Sequence, residues 1–365
     1  MDKLRVELGE SSYDICFSDS FSGLCAELAG ISAPEKLLLV TDTNVERLYA
    51  GEVNARLKAA GYDTAVYAFP AGEENKNMDA VLGICGACLE HGLDRRSMIL
   101  ALGGGVTGDM AGFAAAIYMR GIDYVQIPTT LLSQSDSSVG GKTGIDFKGG
   151  KNLLGAFRQP RLVYINVSTL KTLPPEQFIS GMGEVIKHGI IRDEEFYRYI
   201  KDNSALISSL DTATLIRMAK RNCAIKAEIV ECDERELGLR AIINFGHTIG
   251  HAAESALDFT VTHGECVGLG MIAAAKIAAG RGLIEGRELD SIISVLKEYG
   301  FRTRMALPAA DVIYGYMQQD KKKADGRLKF VLPVRIGEVT QVRDVTDAEI
   351  YDAIAYIVNE ADKGA

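Results

Sequence analysis

Apolar and polar positions follow two regimes along this chain, and the change falls near residue 172. In the first regime, short apolar runs alternate with longer amphipathic ones. Residues 3–8 and 12–17 have the spacing of a short hairpin. KLLLVTD (36–42) is a continuous apolar run closed by Asp42, as expected of a strand buried on both faces. NVERLYAGEVNARLKAAG then repeats its apolar residues at helical spacing. TAVYAFP (64–70), SMILALGGG (97–105), IDYVQIP (122–128) and RLVYINV (161–167) read as further strands. Helices are expected between them, one ending near Gly92 and one over VTGDMAGFAAAIY. Strands and helices alternating at this length predict βαβ units in a Rossmann-like, mostly parallel, doubly wound α/β sheet. Such sheets bind ligands beyond the carboxyl ends of their strands.

After Pro174-Pro175 the texture becomes helical. PEQFISGMGEVIKHGI, EEFYRYIKDN, TATLIRMAKRNCAIKAEIVECDE and CVGLGMIAAAKIAAG all have helical periodicity, and RLKFVLPVRIGEVT reads as a late hairpin. The sequence therefore predicts an α/β domain over 1–172 and a mainly α-helical domain over 173–365. PTTLLSQSDSSVGGKTGIDFKGGKNLLGAF (128–157), rich in glycine, hydroxyls and lysine, is expected to be loop.

Composition narrows the partners. With 47% hydrophobic and 24% charged residues the chain is that of an ordinary globular protein. A net charge of -9 argues against a nucleic-acid partner. No run approaches the length of a membrane span, and MDKLRVELGESSYDICF lacks the apolar core of a secretory signal. The seven cysteines then read as reduced thiols in a cytoplasmic enzyme. Cys85 and Cys88 form a CGAC spacing, but among small residues on a helical stretch they read as packing thiols.

Three of the five histidines (His247, His251, His263) fall in RAIINFGHTIGHAAESALDFTVTHGE. His247 and His251 share a helix face at i, i+4, and imidazole is a common ligand for zinc-like metals. The spacing does not say which two of the three bind, and a carboxylate from elsewhere can complete the set. GMGEVIKHG puts Glu184 and Lys187 three apart on one helical face. By itself that pair reads as a surface ion pair; beside a histidine cluster, Glu184 becomes a candidate third ligand. GGGVTGDMAGF (103–113) is a glycine turn between strand and helix, whose amides suit a pyrophosphate. Asp42, at a strand end, and Glu73 and Lys76, in the turn AGEENK, strengthen the case for a dinucleotide. Arg120, Lys142, Lys151, Lys187, Lys226 and Arg240 gather in or beside these motifs on an acidic chain, which points to a small anionic substrate.

TDTNV, GGGVTGDMAGF, YMRGIDYVQIPTTLLSQSDSSVGGKTGID, KNLLGAF, GMGEVIKHG, DERELGLRAIINFGHTIGHAAE, HGECVGLGM and DKKK, in that order, resemble the 3-dehydroquinate synthases of the sugar phosphate cyclase superfamily. The resemblance runs from about residue 36 to 335. It implies a lyase of the shikimate route to aromatic amino acids, converting 3-deoxy-D-arabino-heptulosonate 7-phosphate to 3-dehydroquinate and phosphate. It further implies bound NAD+ that is reduced and reoxidised in each turnover, one divalent metal (Zn2+ or Co2+), and a homodimer. Carried over by motif, the metal ligands are Glu184, His247 and His263, which leaves His251 for substrate. Arg120 (from a second subunit), Lys142, Asn152, Lys187 and His251 would hold the phosphate. Arg240, Asn244 and a lysine of DKKK (Lys321 or Lys322) would meet the carboxylate. Asp136 and Lys226 would lie near the hydroxyls being oxidised. For NAD the resemblance implies Asp42, Glu73, Lys76, Gly104, Gly105, Asp109, Thr129, Thr130, Lys142, Lys151 and Thr172. Two rivals are a 2-deoxy-scyllo-inosose synthase, whose substrate has no carboxylate for Arg240 to grip, and a glycerol dehydrogenase-like oxidoreductase.

Overall fold

The computed structural model describes residues 1–31, 34, 36–148, 150–235, 238–323 and 328–359, without the side chains of 319–323. It divides into two compact units, Met1–Leu173 with Thr212–Arg235, and Pro174–Asp211 with Glu236–Ala365.

The apolar runs of the first unit form its sheet. Strands β1 (Asp2–Val6), β2 (Tyr13–Ser18), β3 (Lys36–Asp42), β4 (Asp63–Phe69), β5 (Met98–Gly103) and β6 (Asp123–Pro128) follow in order. A hairpin, β7 (Lys142–Phe147) and β8 (Gly150–Phe157), precedes β9 (Leu162–Asn166). The main sheet has the order β1-β2-β9-β6-β5-β3-β4, and every pairing is parallel except β1 with β2. Because side chains alternate across a strand, Leu37, Leu39, Leu100 and Leu102 enter one core while Leu38, Val40, Ile99 and Ala101 enter the other. Helices Leu24–Ile31 and Gly51–Ala59 cover the first face. Helices Met78–Glu90 and Gly105–Ile117 cover the second. Every residue of β5 is buried, as its uninterrupted apolar sequence requires. Leu100→Ala, at the middle of that strand, is expected to cost about 2–5 kcal/mol of stability, read by denaturant unfolding.

Two expectations need correction. The stretch 128–157 is not loop: it holds a helical turn, Ser133–Ser137, and the antiparallel β7–β8 hairpin. Its glycines hid the strands, since Gly144 and Gly155 face each other in register and interrupt the apolar alternation. Helix Thr212–Cys232, helical as expected, belongs with the first unit and packs along β1 and β2. Asn222 Nδ2 donates to Ser135 O at 2.6 Å, and Lys226 Nζ to Asp136 Oδ1 at 2.6 Å. Periodicity announces a helix but not the surface it packs against.

In the second unit, helices Pro175–Arg192 and His247–Ala256 pack on the almost wholly buried helix His263–Gly280. Strands β10 (Phe330–Arg335) and β11 (Glu338–Val342) form the expected hairpin. None of the described helices is long and apolar enough to cross a membrane.

Candidate active site

In the first unit the chain reverses direction across the sheet at β3, since β4 lies on one side and β5 on the other. This switch point, at the carboxyl ends of β3 and β5, is where an open α/β sheet receives a ligand. Asp42 closes β3 there. Its Oδ1 accepts from the amides of Asn44 (2.9 Å) and Val45 (3.1 Å), and its Oδ2 from Thr107 Oγ1 (3.3 Å). A carboxylate has about four acceptor positions, so capacity remains for a sugar hydroxyl. Gly104 precedes helix Gly105–Ile117 and offers no side-chain cap, which leaves first-turn amides available to an anion. Thr129, next along the rim and buried, has an Oγ1 with no hydrogen-bond partner among the described residues. Thr130 lies beside Gly104, where an added Cβ would sit 3.1 Å from its methyl group. Thr172 is bonded through its hydroxyl to Tyr49.

A buried polar network adjoins this rim. Lys76, 5% exposed, bonds Asp109 Oδ2 at 2.7 Å and Asn152 Oδ1 at 2.6 Å, with Glu73 at 3.8 Å. Burial pushes the Asp109 carboxyl up, against the pull of Lys76. Burial would likewise lower Lys76, but Asp109 and Glu73 together raise it. Asp146 Oδ1 accepts from the Asn152 amide at 2.7 Å, so the network ties the β7–β8 hairpin to the Glu73–Asn75 turn. Lys142 and Lys151 are exposed on the hairpin, and Asp136 is partly buried against Lys226. Arg120 is exposed in a left-handed backbone segment, Met119 and Arg120 having φ of 50° and 70°.

The second unit gathers the histidines and one carboxylate. Glu184 and Lys187 do form an ion pair, but both are buried, at 1% and 0% exposure, so it is no surface pair. Glu184 Oε1 lies 3.7 Å from Nε2 of His247 and 3.7 Å from Nε2 of His263, and among the described residues it has no hydrogen-bond partner. Each imidazole is anchored through its other nitrogen: His247 Nδ1 lies 3.1 Å from Phe245 O, and His263 Nδ1 lies 3.1 Å from Glu254 Oε2. Glu184 Oε1 thus faces both Nε2 atoms while the outer ring nitrogens are occupied, and His247, His251 and His263 bring ring nitrogens within 4.8 Å of one another, so these side chains could hold a metal ion. Donors about 2 Å from a tetrahedral ion stand about 3.3 Å apart, so the 3.7 Å separations fit one small cation after slight contraction.

The electrostatics set the two imidazoles apart. Burial pushes the Glu184 carboxyl up, but Lys187 and the two imidazoles outweigh it and hold the group well below its ordinary range. Burial, reinforced by Lys187, holds His247 well below an ordinary histidine and therefore neutral, as a ligand must be. Burial would lower His263 as well, but the carboxylates of Glu184 and Glu254 raise it to about 9.

Close helix contact makes this geometry. A Cβ on Gly264 would sit 1.9 Å from Ser180 O, so helices Pro175–Arg192 and His263–Gly280 touch backbone to backbone one residue from His263. A Cβ on Gly270 would likewise meet Gly246 O at 1.8 Å, beside His247.

His251 is exposed, its ring centroid 4.8 Å from that of His247 and 5.4 Å from that of His263. Arg240 is buried and Asn244 exposed on the short turn Leu239–Asn244. The side chains of Lys321 and Lys322 lie outside the described residues. Glu254 escaped the sequence reading, although its position seven after His247 put it on the same helix face.

Two family models match the chain in succession. The 3-dehydroquinate synthase N-terminal model matches residues 66–180, and the 3-dehydroquinate synthase C-terminal model matches residues 181–323. A 3-dehydroquinate synthase of Acetivibrio thermocellus is 51% identical over 344 residues, covering 93% of this chain and 95% of the relative. Among solved structures, 2-epi-5-epi-valiolone synthase of Streptomyces hygroscopicus, with NAD+ and Zn2+ bound, superposes with a TM-score of 0.88. It is 29% identical and covers 96% of this chain and 98% of its own. A 2-deoxy-scyllo-inosose synthase complexed with carbaglucose-6-phosphate, NAD+ and Co2+ gives a TM-score of 0.85 at 27% identity, covering 97% and 99%. Matched through both of its halves and at half its residues by a curated relative, the chain belongs to the 3-dehydroquinate synthase family.

Proposed function

We propose that this chain converts 3-deoxy-D-arabino-heptulosonate 7-phosphate to 3-dehydroquinate and phosphate, as an NAD- and metal-dependent lyase of the shikimate pathway. The reading is carried by the convergence of Glu184 Oε1 with the two Nε2 atoms of His247 and His263. When bound, the divalent ion polarises a substrate hydroxyl and NAD+ takes up and later returns its hydride. The chain's own groups bind and position.

Glu184, His247 and His263 would hold the ion. Asp42, Glu73, Lys76, Asp109, Thr129, Thr130, Thr172 and the amides after Gly104 would hold the dinucleotide, together with Lys142 and Lys151. Among the described residues Thr129 Oγ1 has no partner and the first turn after Gly104 has no side-chain cap, and a diphosphate-bearing ligand would supply partners to both. Lys142, Asn152, Lys187 and His251 would orient the phosphate. Arg240, Asn244 and Lys321 or Lys322 would grip the carboxylate, and Asp136 with Lys226 would order the hydroxyls. Their joint effect is positioning and charge neutralisation. The leaving phosphate takes the neighbouring proton itself, so no dedicated base is assigned.

The protein acts as a cytoplasmic homodimer in this reading, with Arg120 of each subunit completing the other's phosphate site. The exposure of Arg120 beside exposed Ile117 (42%) and Met119 (41%) supports that placement.

The test is phosphate release from the heptulosonate phosphate. Release is expected without net NADH and is expected to stop when a chelator removes the metal. Turnover of glucose 6-phosphate alone would favour the deoxyinosose synthase rival. Stoichiometric NADH accumulation would favour a dehydrogenase.

A further inference from the structure

Glu254 belongs to neither the ligand set nor the substrate contacts above, yet it is a carboxylate buried to 4% exposure. A buried carboxylate is retained only where something compensates its lost hydration. Its Oε2 lies 3.1 Å from Nδ1 of His263. A carboxylate accepts, so Nδ1 carries a proton there, and when the ring is neutral, as a metal ligand must be, its lone pair lies on Nε2, the atom facing Glu184 Oε1 at 3.7 Å.

The backbone directs the carboxylate to this place. Glu254 is seven residues after His247 on helix His247–Ala256, so one helix face carries both. Its carbonyl oxygen accepts from the Phe259 amide at 3.1 Å, where Asp258 and Phe259 adopt left-handed φ of 48° and 58°. That tight reversal leads to His263, the first residue of the next helix. One helix therefore presents His247 itself and, through Glu254, fixes the ring of the histidine on its neighbour.

We propose that Glu254 is a positioning residue for the metal centre, setting the tautomer, ring orientation and basicity of His263. The inference rests on the ligand set proposed above. An outer carboxylate on a metal-bound histidine typically contributes 10–100-fold to affinity. Glu254→Ala is therefore expected to weaken Zn2+ binding by roughly 10–100-fold, measured on the full chain by competition with a chromophoric chelator. Glu254→Gln keeps an acceptor for Nδ1–H but not the charge, so it is expected to recover part of that loss. In the Co2+-substituted protein its visible bands are expected to shift, because a less basic imidazole changes the ligand field. The metal-free melting temperatures of wild type and Glu254→Gln should agree.

Zn2+ affinity of Glu254→Ala within twofold of wild type would overturn the inference and leave the ligand set standing. So would a Glu254→Gln variant with unshifted cobalt bands, or one as weak as the alanine variant with a lowered metal-free melting temperature, since those outcomes describe packing only. If His263→Ala binds Zn2+ as tightly as wild type, the ligand set itself falls, and this inference with it.

Discussion

His247→Ala should leave a folded protein that retains no metal and turns over at least about 10³-fold more slowly, because the ion's polarisation of substrate supplies several kcal/mol. The fold should survive for an electrostatic reason. Burial and the Lys187 ammonium keep this imidazole neutral, so the substitution deletes no charge from the interior. What remains is Glu184 with His263, two ligands where a stable site needs three or more. Metal analysis after dialysis, together with the rate of phosphate release, checks both halves of the expectation. Cys85→Ala is the companion control: the thiol is half-buried on helix Met78–Glu90, far in sequence from every proposed metal ligand, and both readings should be unchanged. A His247→Ala protein with wild-type metal content would refute the ligand assignment.

Gly264→Ala should be nearly as damaging without touching a ligand. The new Cβ would stand 1.9 Å from Ser180 O, a backbone atom that cannot rotate aside. The two helices must separate, at a cost of about 1–3 kcal/mol or more for overpacking. His263 is the adjacent residue, so separation also carries its imidazole away from Glu184. A lowered melting temperature together with weakened Zn2+ binding is expected. Gly280→Ala, on the same helix with nothing within 4 Å of the added Cβ, should leave both unchanged. Equal behaviour of the two variants would show that the close crossing does not hold the site.

The sheet was legible because a strand buried on both faces can be nothing but apolar. KLLLVTD and SMILALGG became β3 and β5 almost residue for residue. The β7–β8 hairpin was not legible, because opposed glycines erase the period-two pattern on which a strand is recognised. Helix Thr212–Cys232 was visible as a helix and misplaced as to unit, since its apolar stripe fits any apolar partner. At the proposed metal centre, spacing singled out the three histidines and left their selection open. Glu184 came from its motif, and the structure adds what spacing does not carry: which ring nitrogen of each histidine faces inward, and that Glu254 holds one of them. Nor did the sequence alone reveal that Gly264 and Gly270 matter by approach, since a glycine in a small-residue helix such as CVGLGMIAAAKIAAG has no distinguishing mark.

The return of Thr212–Arg235 to the sheet has a practical bearing on protein engineering. The polypeptide passes from one unit to the other three times, so no single scission yields two self-sufficient pieces. A fragment stopped at 173 would bare the flank of β1 and β2, strand the Asp136 carboxylate without Lys226, and remove the amide that satisfies Ser135 O. Splitting the enzyme for complementation would instead require the excised helix to be supplied with the sheet, as a third piece or a permuted tail.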